Sequence, residues 1–318
     1  MASKRTLVTG ASLLVLTGVV LGASKFRPVQ NFYYALQIER TLDRYAQTDT
    51  TKTGVVATID ASGREASLVS AFFGLDGGLP SIVSDWAVCK GAGGADGMPV
   101  IFSHEVDVNT LDPGDFKVVQ RSGAIGKVTC LTLAPADDPG ELRTALLAGQ
   151  FGSPGDPAIS VEVTGDILSL DGAITFKGTQ VDVVPLEDGP SIVFAETVPS
   201  DQWELGKVAT QIPFGGGSGC PDGTKQIVRA TWNGGITKPG GAPVDGDEGA
   251  LYQITIELSD RTEQTTSPIA LADTGDGDNN HKLCLDTDAT VKSVAFPAGH
   301  VTDPRKDLNP ATSIALAR

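Results

Sequence analysis

The chain has 318 residues, of which 40% are hydrophobic and 20% are charged, a globular composition long enough for two domains. Its formal net charge of −15 argues against a nucleic-acid binder, since binding to phosphates requires clustered Lys and Arg. A single long apolar run, at the N-terminus, excludes a protein with several transmembrane helices.

The N-terminus has the pattern of a secretory signal. Lys4 and Arg5 precede an uncharged, leucine- and valine-rich stretch over 6–24, which ends in small residues that suit signal peptidase. We therefore predict a cleaved signal peptide over 1–24 and a secreted, periplasmic or cell-surface protein. The alternative is an uncleaved membrane anchor formed by residues 6–24. Cleavage would remove two positive charges and change the net charge from −15 to −17.

The next segment predicts a helix. Apolar residues between Val29 and Tyr45 recur at roughly helical spacing, with mixed charges between them. A threonine-rich stretch follows and ends at Thr53. We predict a helical N-terminal segment over 25–53, which either packs on the first domain or forms a stalk.

The rest of the chain predicts β-structure. Short alternating or β-branched runs occur at 55–59, 100–103, 116–120, 128–133, 144–147, 159–163, 181–184, 191–195, 226–232, 251–258 and 291–296. Gly, Pro, Asp and Asn separate them, which is typical of antiparallel sandwiches. We predict an all-β fold with two Ig-like β-sandwich domains, the first over 54–198 and the second over 220–318, joined by a Gly-rich linker over 199–219.

One stretch carries a family resemblance. Residues 98–119 read MPVIFSHEVDVNTLDPGDFKVV, which resembles the F-S-x-x-V-D-x-x-T-L-x-x-x-D-F-x-V pattern of bacterial Ig-like domains of the S-layer and adhesin type. The resemblance implies a secreted β-sandwich that spaces or displays other modules. From the residues themselves, Leu111 and Phe116 are the expected core anchors, and residues 112–114 supply a turn.

The four cysteines are Cys89, Cys130, Cys220 and Cys284. Their even number, together with the export signal, predicts two disulfides, and the lack of a Cys-x-x-Cys pair gives no support to a zinc ribbon or redox site. Three pairings are possible. The simplest joins Cys89 to Cys130 and Cys220 to Cys284, one bridge in each half, and the alternative is four buried free thiols.

An acidic loop is the strongest candidate metal site. Its expected ligands are Asp273, Asp276, Asp278 and Asn280. Ca²⁺ takes carboxylate and carbonyl oxygens, which a loop of this kind supplies. The EF-hand pattern then fails, because His281 stands in place of the glycine and Thr287 in place of the last glutamate. The sequence therefore leaves two possibilities, a calcium site and a solvated acidic turn.

Residues that could carry catalysis or sugar binding are few. The three histidines, His104, His281 and His300, form no zinc or hydrolase motif. They lie far apart in the chain, so we expect no pocket that combines a histidine with two carboxylates. Trp86, Trp203 and Trp232 could stack on sugar rings, although core positions are the commoner role.

The patterns together predict a secreted or cell-envelope protein with a non-enzymatic binding or structural role. No catalytic residue and no cofactor apart from calcium is predicted. The expected partner is a protein or a glycan, and not a nucleic acid. The alternatives are a secreted hydrolase, which a pocket with a histidine and two carboxylates would favour, and a carbohydrate-binding module, which an exposed aromatic platform would favour.

Overall fold

The computed structural model describes residues 65–79, 89, 92–133, 135–138, 140–208, 218–274 and 278–317. The predicted signal peptide and the predicted helical segment 25–53 lie outside these ranges, as do the predicted strand 55–59, Trp86 and Asp276. Within the described ranges, no helix is long and apolar enough to cross a membrane.

The described residues form fifteen β-strands and one short α-helix. The first seven strands are β1 (Leu68–Phe72), β2 (Asp96–Phe102), β3 (Phe116–Gln120), β4 (Ile125–Thr132), β5 (Thr144–Gln150), β6 (Ala158–Val163) and β7 (Gln180–Val184). The other eight are β8 (Ile192–Thr197), β9 (Gln226–Trp232), β10 (Gln253–Glu257), β11 (Glu263–Thr266), β12 (Ala270–Ala272), β13 (Asn280–Leu285), β14 (Thr290–Phe296) and β15 (Thr312–Ala315). Helix α1 (Gly246–Gly249) precedes β10. The prediction of a mainly β fold is therefore confirmed.

Strands β1 to β7 form a closed barrel in the order β1-β2-β5-β4-β3-β6-β7. The barrel closes where β1 pairs with β7 in parallel, with Ala71 opposite Val183. Register shifts interrupt the β1–β2, β3–β6 and β4–β5 pairs. Such irregularities bend strands and increase twist, which helps a sheet to curl. The prediction of a β-sandwich in this half is therefore wrong, because a single sheet curls until its two edges meet.

The barrel interior is filled by apolar side chains. The ring of Phe102 packs edge-on against the rings of Phe116 and Phe176, with centroids 6.3 and 4.8 Å apart. Leu111 and Phe116 are both buried, as the sequence predicts. The side chain of Asp112 accepts a hydrogen bond from the backbone N–H of Gly114 at 2.7 Å and fixes the turn between them.

Strands β8 to β15 form two four-stranded sheets, ordered β11-β10-β14-β15 and β12-β13-β9-β8. Both sheets contribute to one apolar core, as in a β-sandwich. At its centre the indole N–H of Trp232 donates to the hydroxyl of Tyr252 at 2.8 Å, and this hydroxyl lies 2.7 Å from Nδ1 of His281. Burial lowers the pKa of His281 to about 4, so the imidazole is neutral at physiological pH.

The boundary between the barrel and the sandwich lies before β8, which is earlier in the chain than predicted. Strand β8, which the predicted first domain of 54–198 includes, pairs with β9 and belongs to the sandwich. The predicted linker 199–219 therefore lies between two neighbouring strands of one sheet.

Each unit contains one disulfide. Cys89 pairs with Cys130 of β4, and Cys220 pairs with Cys284 of β13. These are the two pairs of the simplest sequence-based pairing. The second bridge fixes the segment before β9 to the neighbouring strand of the same sheet.

Candidate binding cleft

A cleft of about 510 Å³ lies between the barrel and the sandwich. The barrel contributes His104 and Glu105, which follow β2, and Asp171, from the β6–β7 connection. The sandwich contributes Glu196 of β8 and Arg229 of β9. Ligand pockets typically enclose about 300–1,000 Å³, so the cleft has the size of a binding site.

Arg143, which immediately precedes β5, ties the barrel to the sandwich. Its Nη2 atom donates to both carboxylate oxygens of Glu196, at 2.9 and 3.0 Å. Its Nη1 atom donates to the backbone carbonyl of Ser103 at 3.0 Å, and the guanidinium lies 4.2 Å from the ring centroid of Phe194. This side chain is 3% exposed, and its charge is neutralised by a bidentate partner.

Arg229 reaches back from the sandwich to the barrel. Its Nη1 atom donates to the carbonyl of Gly140 at 2.6 Å and to Glu196 at 3.1 Å. Its Nε atom lies 3.6 Å from Oε1 of Glu141. Gly140 has a positive φ of 88°, and an added Cβ would lie 2.6 Å from Arg229 Nη2, so a glycine is required here.

A buried pair of acidic side chains lies behind this wall of the cleft. Burial, with the nearby charges of Asp278 and Asp273, raises the pKa of Glu141 well above its ordinary value. Burial alone would also raise the pKa of Asp273. Two contacts outweigh this effect of burial and lower the pKa of Asp273. One is a hydrogen bond from Glu141, and the other is the charge of Lys282, whose Nζ lies 2.7 Å from Asp273 Oδ2. Of the two, Glu141 is therefore the carboxyl that keeps its proton to higher pH.

The other polar groups of the cleft are held by local hydrogen bonds. Oε1 of Glu105 accepts from the backbone N–H of Leu142 at 3.3 Å. Hydrogen bonds from the Ser169 hydroxyl and the Ala173 backbone N–H lower the pKa of Asp171. The Asp171 carboxylate is therefore ionised and oriented, so it can accept hydrogen bonds from a ligand.

The expectation that no pocket combines a histidine with two carboxylates is wrong. His104 lines the same cleft as Glu105, Asp171 and Glu196. These residues come from two connections and one strand, and a sequence pattern does not show which connections meet. His281 lies in the sandwich core, and His300 packs against the ring of Phe296 at 6.4 Å.

Three of the predicted calcium ligands, Asp273, Asp278 and Asn280, are described, and each has a partner within the protein. Asp273 is bound by Lys282, as described above. The two oxygens of Asp278 accept from the backbone N–H and side-chain amide of Asn280, each at 2.9 Å, and Oδ1 of Asn280 accepts from the hydroxyl of Thr231. The described residues contain no group of three or more His, Cys, Asp or Glu that could hold a metal ion. Calcium binding stays a prediction.

The two described tryptophans have structural contacts. Trp232 lies in the sandwich core and is completely buried. Trp203 is half-buried, and its indole N–H donates to the carbonyl of Val198 at 2.8 Å. Both indole N–H groups therefore have partners within the protein.

Comparisons with known proteins give little further information. No family model matches the sequence, and no curated protein matches it. Among solved structures, the chain is similar to the N-terminal part of the bacterial S-layer protein SbsC, at 11% sequence identity and a TM-score of 0.26. The likeness covers 80% of this chain and 44% of that chain. At this level it carries no argument about function.

Proposed function

We propose that the protein is exported and serves as a non-enzymatic binding or structural component of the cell envelope or its surroundings. It holds a protein or glycan partner in the cleft between the barrel and the sandwich. The observation that carries this proposal is the cleft itself, which both units line and whose wall is fixed by the contacts of Arg143 and Arg229 with Glu196. Such a wall is preorganised, which lowers the entropic cost of binding.

The cysteines support export. All described cysteines are paired in disulfides. Disulfides persist in oxidising compartments and are rare in the cytosol. N-terminal sequencing of the exported form should find a mature chain that begins within a few residues of Lys25. An intact segment 1–24 in the soluble exported fraction would contradict the signal-peptide prediction.

The chemistry of the cleft favours binding over catalysis. A general acid needs a carboxyl group that is protonated near the working pH. The Asp171 carboxylate instead has a lowered pKa, and Glu196 is held by two arginines. The fixed, ionised carboxylate of Asp171 suits the hydroxyl groups of a glycan or the donor groups of a protein segment.

The test is a binding comparison between matched variants. Purified protein is titrated by calorimetry with a panel of cell-wall oligosaccharides and with peptides of varied charge. Asp171→Asn should weaken the binding of the best ligand about tenfold, through loss of a charge-assisted hydrogen bond. Asp260→Asn is the control, because Asp260 accepts from the N–H and hydroxyl of Thr262 in a similar turn outside the cleft. Equal affinities for the two variants would overturn the cleft assignment.

A hydrolase is the second candidate, because His104 shares the cleft with three carboxylates. The same ligand panel is incubated with the protein, and products are measured by mass spectrometry. Turnover that is lost in His104→Gln and retained in Asp260→Asn would replace the binding proposal with the hydrolase.

A further inference from the structure

A second cavity, separate from the cleft, lies where the two units meet. Its volume is about 170 Å³. The barrel contributes Phe72, Leu133 and Leu146, and the sandwich side contributes Gly234, Asp278 and Asn279. An occupant would therefore touch both units at once.

The walls of this cavity are mainly apolar. Phe72, Leu75, Pro99, Leu133, Pro135 and Leu146 lie around it. At Gly234 the backbone lies close to the ring of Phe72, since an added Cβ would lie 2.8 Å from Cδ1 of Phe72. An apolar cavity of about 150 Å³ is large enough to bind benzene, so this one has room for a single six-membered ring or a branched aliphatic group.

Polar groups are confined to a few positions. The side-chain amide of Asn279 donates to the hydroxyl of Thr144 at 3.2 Å and to the carbonyl of Trp232 at 2.7 Å, which fixes its orientation. Beside it, the carboxylate of Asp278 is oriented by two hydrogen bonds from Asn280. All three lining residues, Thr144, Asp278 and Asn279, are buried. A few polar groups in an apolar pocket are the usual means by which a site orients its ligand.

We propose that this cavity binds a small amine that carries one aromatic or branched aliphatic group. The apolar group lies among Phe72, Leu133 and Leu146, and the ammonium group faces the carboxylate of Asp278. A cation is favoured over an anion both by this carboxylate and by the net charge of −15 on the whole chain. Bound across both units, the amine stabilises the folded protein, because it binds the folded state alone.

The test compares four ring compounds of similar size: benzylamine, benzyl alcohol, toluene and benzoate. Binding to the full chain is followed by calorimetry and by the melting temperature, with a chelator present so that calcium plays no part. Benzylamine should bind about tenfold more tightly than benzyl alcohol, a difference of about 1.4 kcal/mol, and benzoate more weakly than either. Toluene should raise the melting temperature less than benzylamine.

Two variants locate the site. Asp278→Asn should remove the preference for benzylamine over benzyl alcohol, because the asparagine keeps an acceptor oxygen and loses the charge. Ala136→Leu places a larger side chain at the cavity wall and should abolish binding of all four compounds. If that variant does not fold, NOEs between the benzylamine ring and leucine methyl groups of the wild-type protein give the location. No binding of benzylamine, equal binding of benzoate, or NOEs to other residues would overturn the proposal.

Discussion

Glu141 shows how strongly one buried side chain depends on its neighbours. It is completely buried and faces Arg229, Asp273 and Asp278. Burial of a charge is costly unless it is paired, and a carboxyl group in this position lowers the cost by keeping its proton. As long as Glu141 keeps its proton, the acidic side chains around Arg229 repel each other less.

Glu141→Gln should therefore stabilise the protein at high pH. The folded protein holds a proton on Glu141 that the unfolded chain releases near pH 4.5, so this contribution is fully present below pH 4.5 and is lost as the pH rises through the higher folded-state pKa. Glutamine mimics the protonated form at every pH. Scanning calorimetry with a chelator present should show a higher melting temperature than wild type at pH 8, and a smaller difference near pH 4.5.

The exposed Glu263→Gln variant is the control and should follow the wild-type pH profile. If Glu141→Gln melts at or below the wild-type temperature at pH 8, the pKa of Glu141 is not raised in the folded protein. A proton on Glu141 then does not reduce the repulsion between the acidic side chains.

At the scale of single residues, the sequence predicts apolar anchors far better than buried charges. Leu111 and Phe116 are recognisable from the sequence, because they are large apolar residues on either side of a short polar turn. Arg143, Glu196 and Arg229 are not recognisable, since charged residues usually lie at the surface. Their burial results from the docking of one unit on the other.

Among the elements, the connection between β4 and β5 links the barrel to the sandwich, because Gly140, Glu141 and Arg143 of this connection contact residues of the sandwich. Gly140→Ala should destabilise the protein by about 3 kcal/mol or more, through positive φ and displacement of the Arg229 ion pairs. The matched control is Gly123→Ala, whose φ is 86° and whose added Cβ meets nothing within 4 Å. It should cost about 1 kcal/mol. Urea denaturation of both variants makes the comparison, and equal losses would show that the contact with Arg229 does not matter.

Calcium binding by the acidic loop before β13 can be tested by thermal melting. The calcium hypothesis predicts that millimolar Ca²⁺ raises the melting temperature by more than NaCl of matched ionic strength does, since screening does not depend on coordination. Asp276→Asn combined with Asp278→Asn should remove that response. Equal melting curves in Ca²⁺, chelator and matched NaCl would leave the loop as an acidic turn held by Lys282 and Asn280.

The sequence patterns miss five of the described strands, β1, β11, β12, β13 and β15, and β13 differs from the predicted strands in how it is buried. Strand β10 alternates between buried and partly exposed residues and is predicted correctly. Strand β13 is buried along its whole length, because one face meets the sandwich core, while on the other Cys284 packs against Val198 and Lys282 pairs with Asp273. Its polar side chains, such as Lys282, therefore face protein instead of water, and the pattern NHKLCL does not indicate a strand.

For the whole molecule, Glu196 is one of the side chains that join the two units, because both Arg143 and Arg229 bind it. Glu196→Gln leaves two buried arginines without their carboxylate, which should cost about 3–5 kcal/mol. Calorimetry should then resolve separate transitions for the barrel and the sandwich. Glu162→Gln is the control, because its pair with Lys117 lies on the barrel surface, and it should cost about 0–1 kcal/mol. Similar melting profiles for the two variants would show that the units are coupled by other contacts.

The parallel pairing of β1 with β7 also has a consequence for the order of folding. β1 has no partner at the barrel's closing edge until the chain has been synthesised as far as residue 184, because β7 is the strand that completes the barrel. Similarly, β15 bonds to β8 through Thr312 and Ile192, 120 residues apart. Contacts between such distant segments slow folding, because long loops must close first. Each unit is therefore completed only when its last strand is available, so neither unit can close while that strand is still being synthesised.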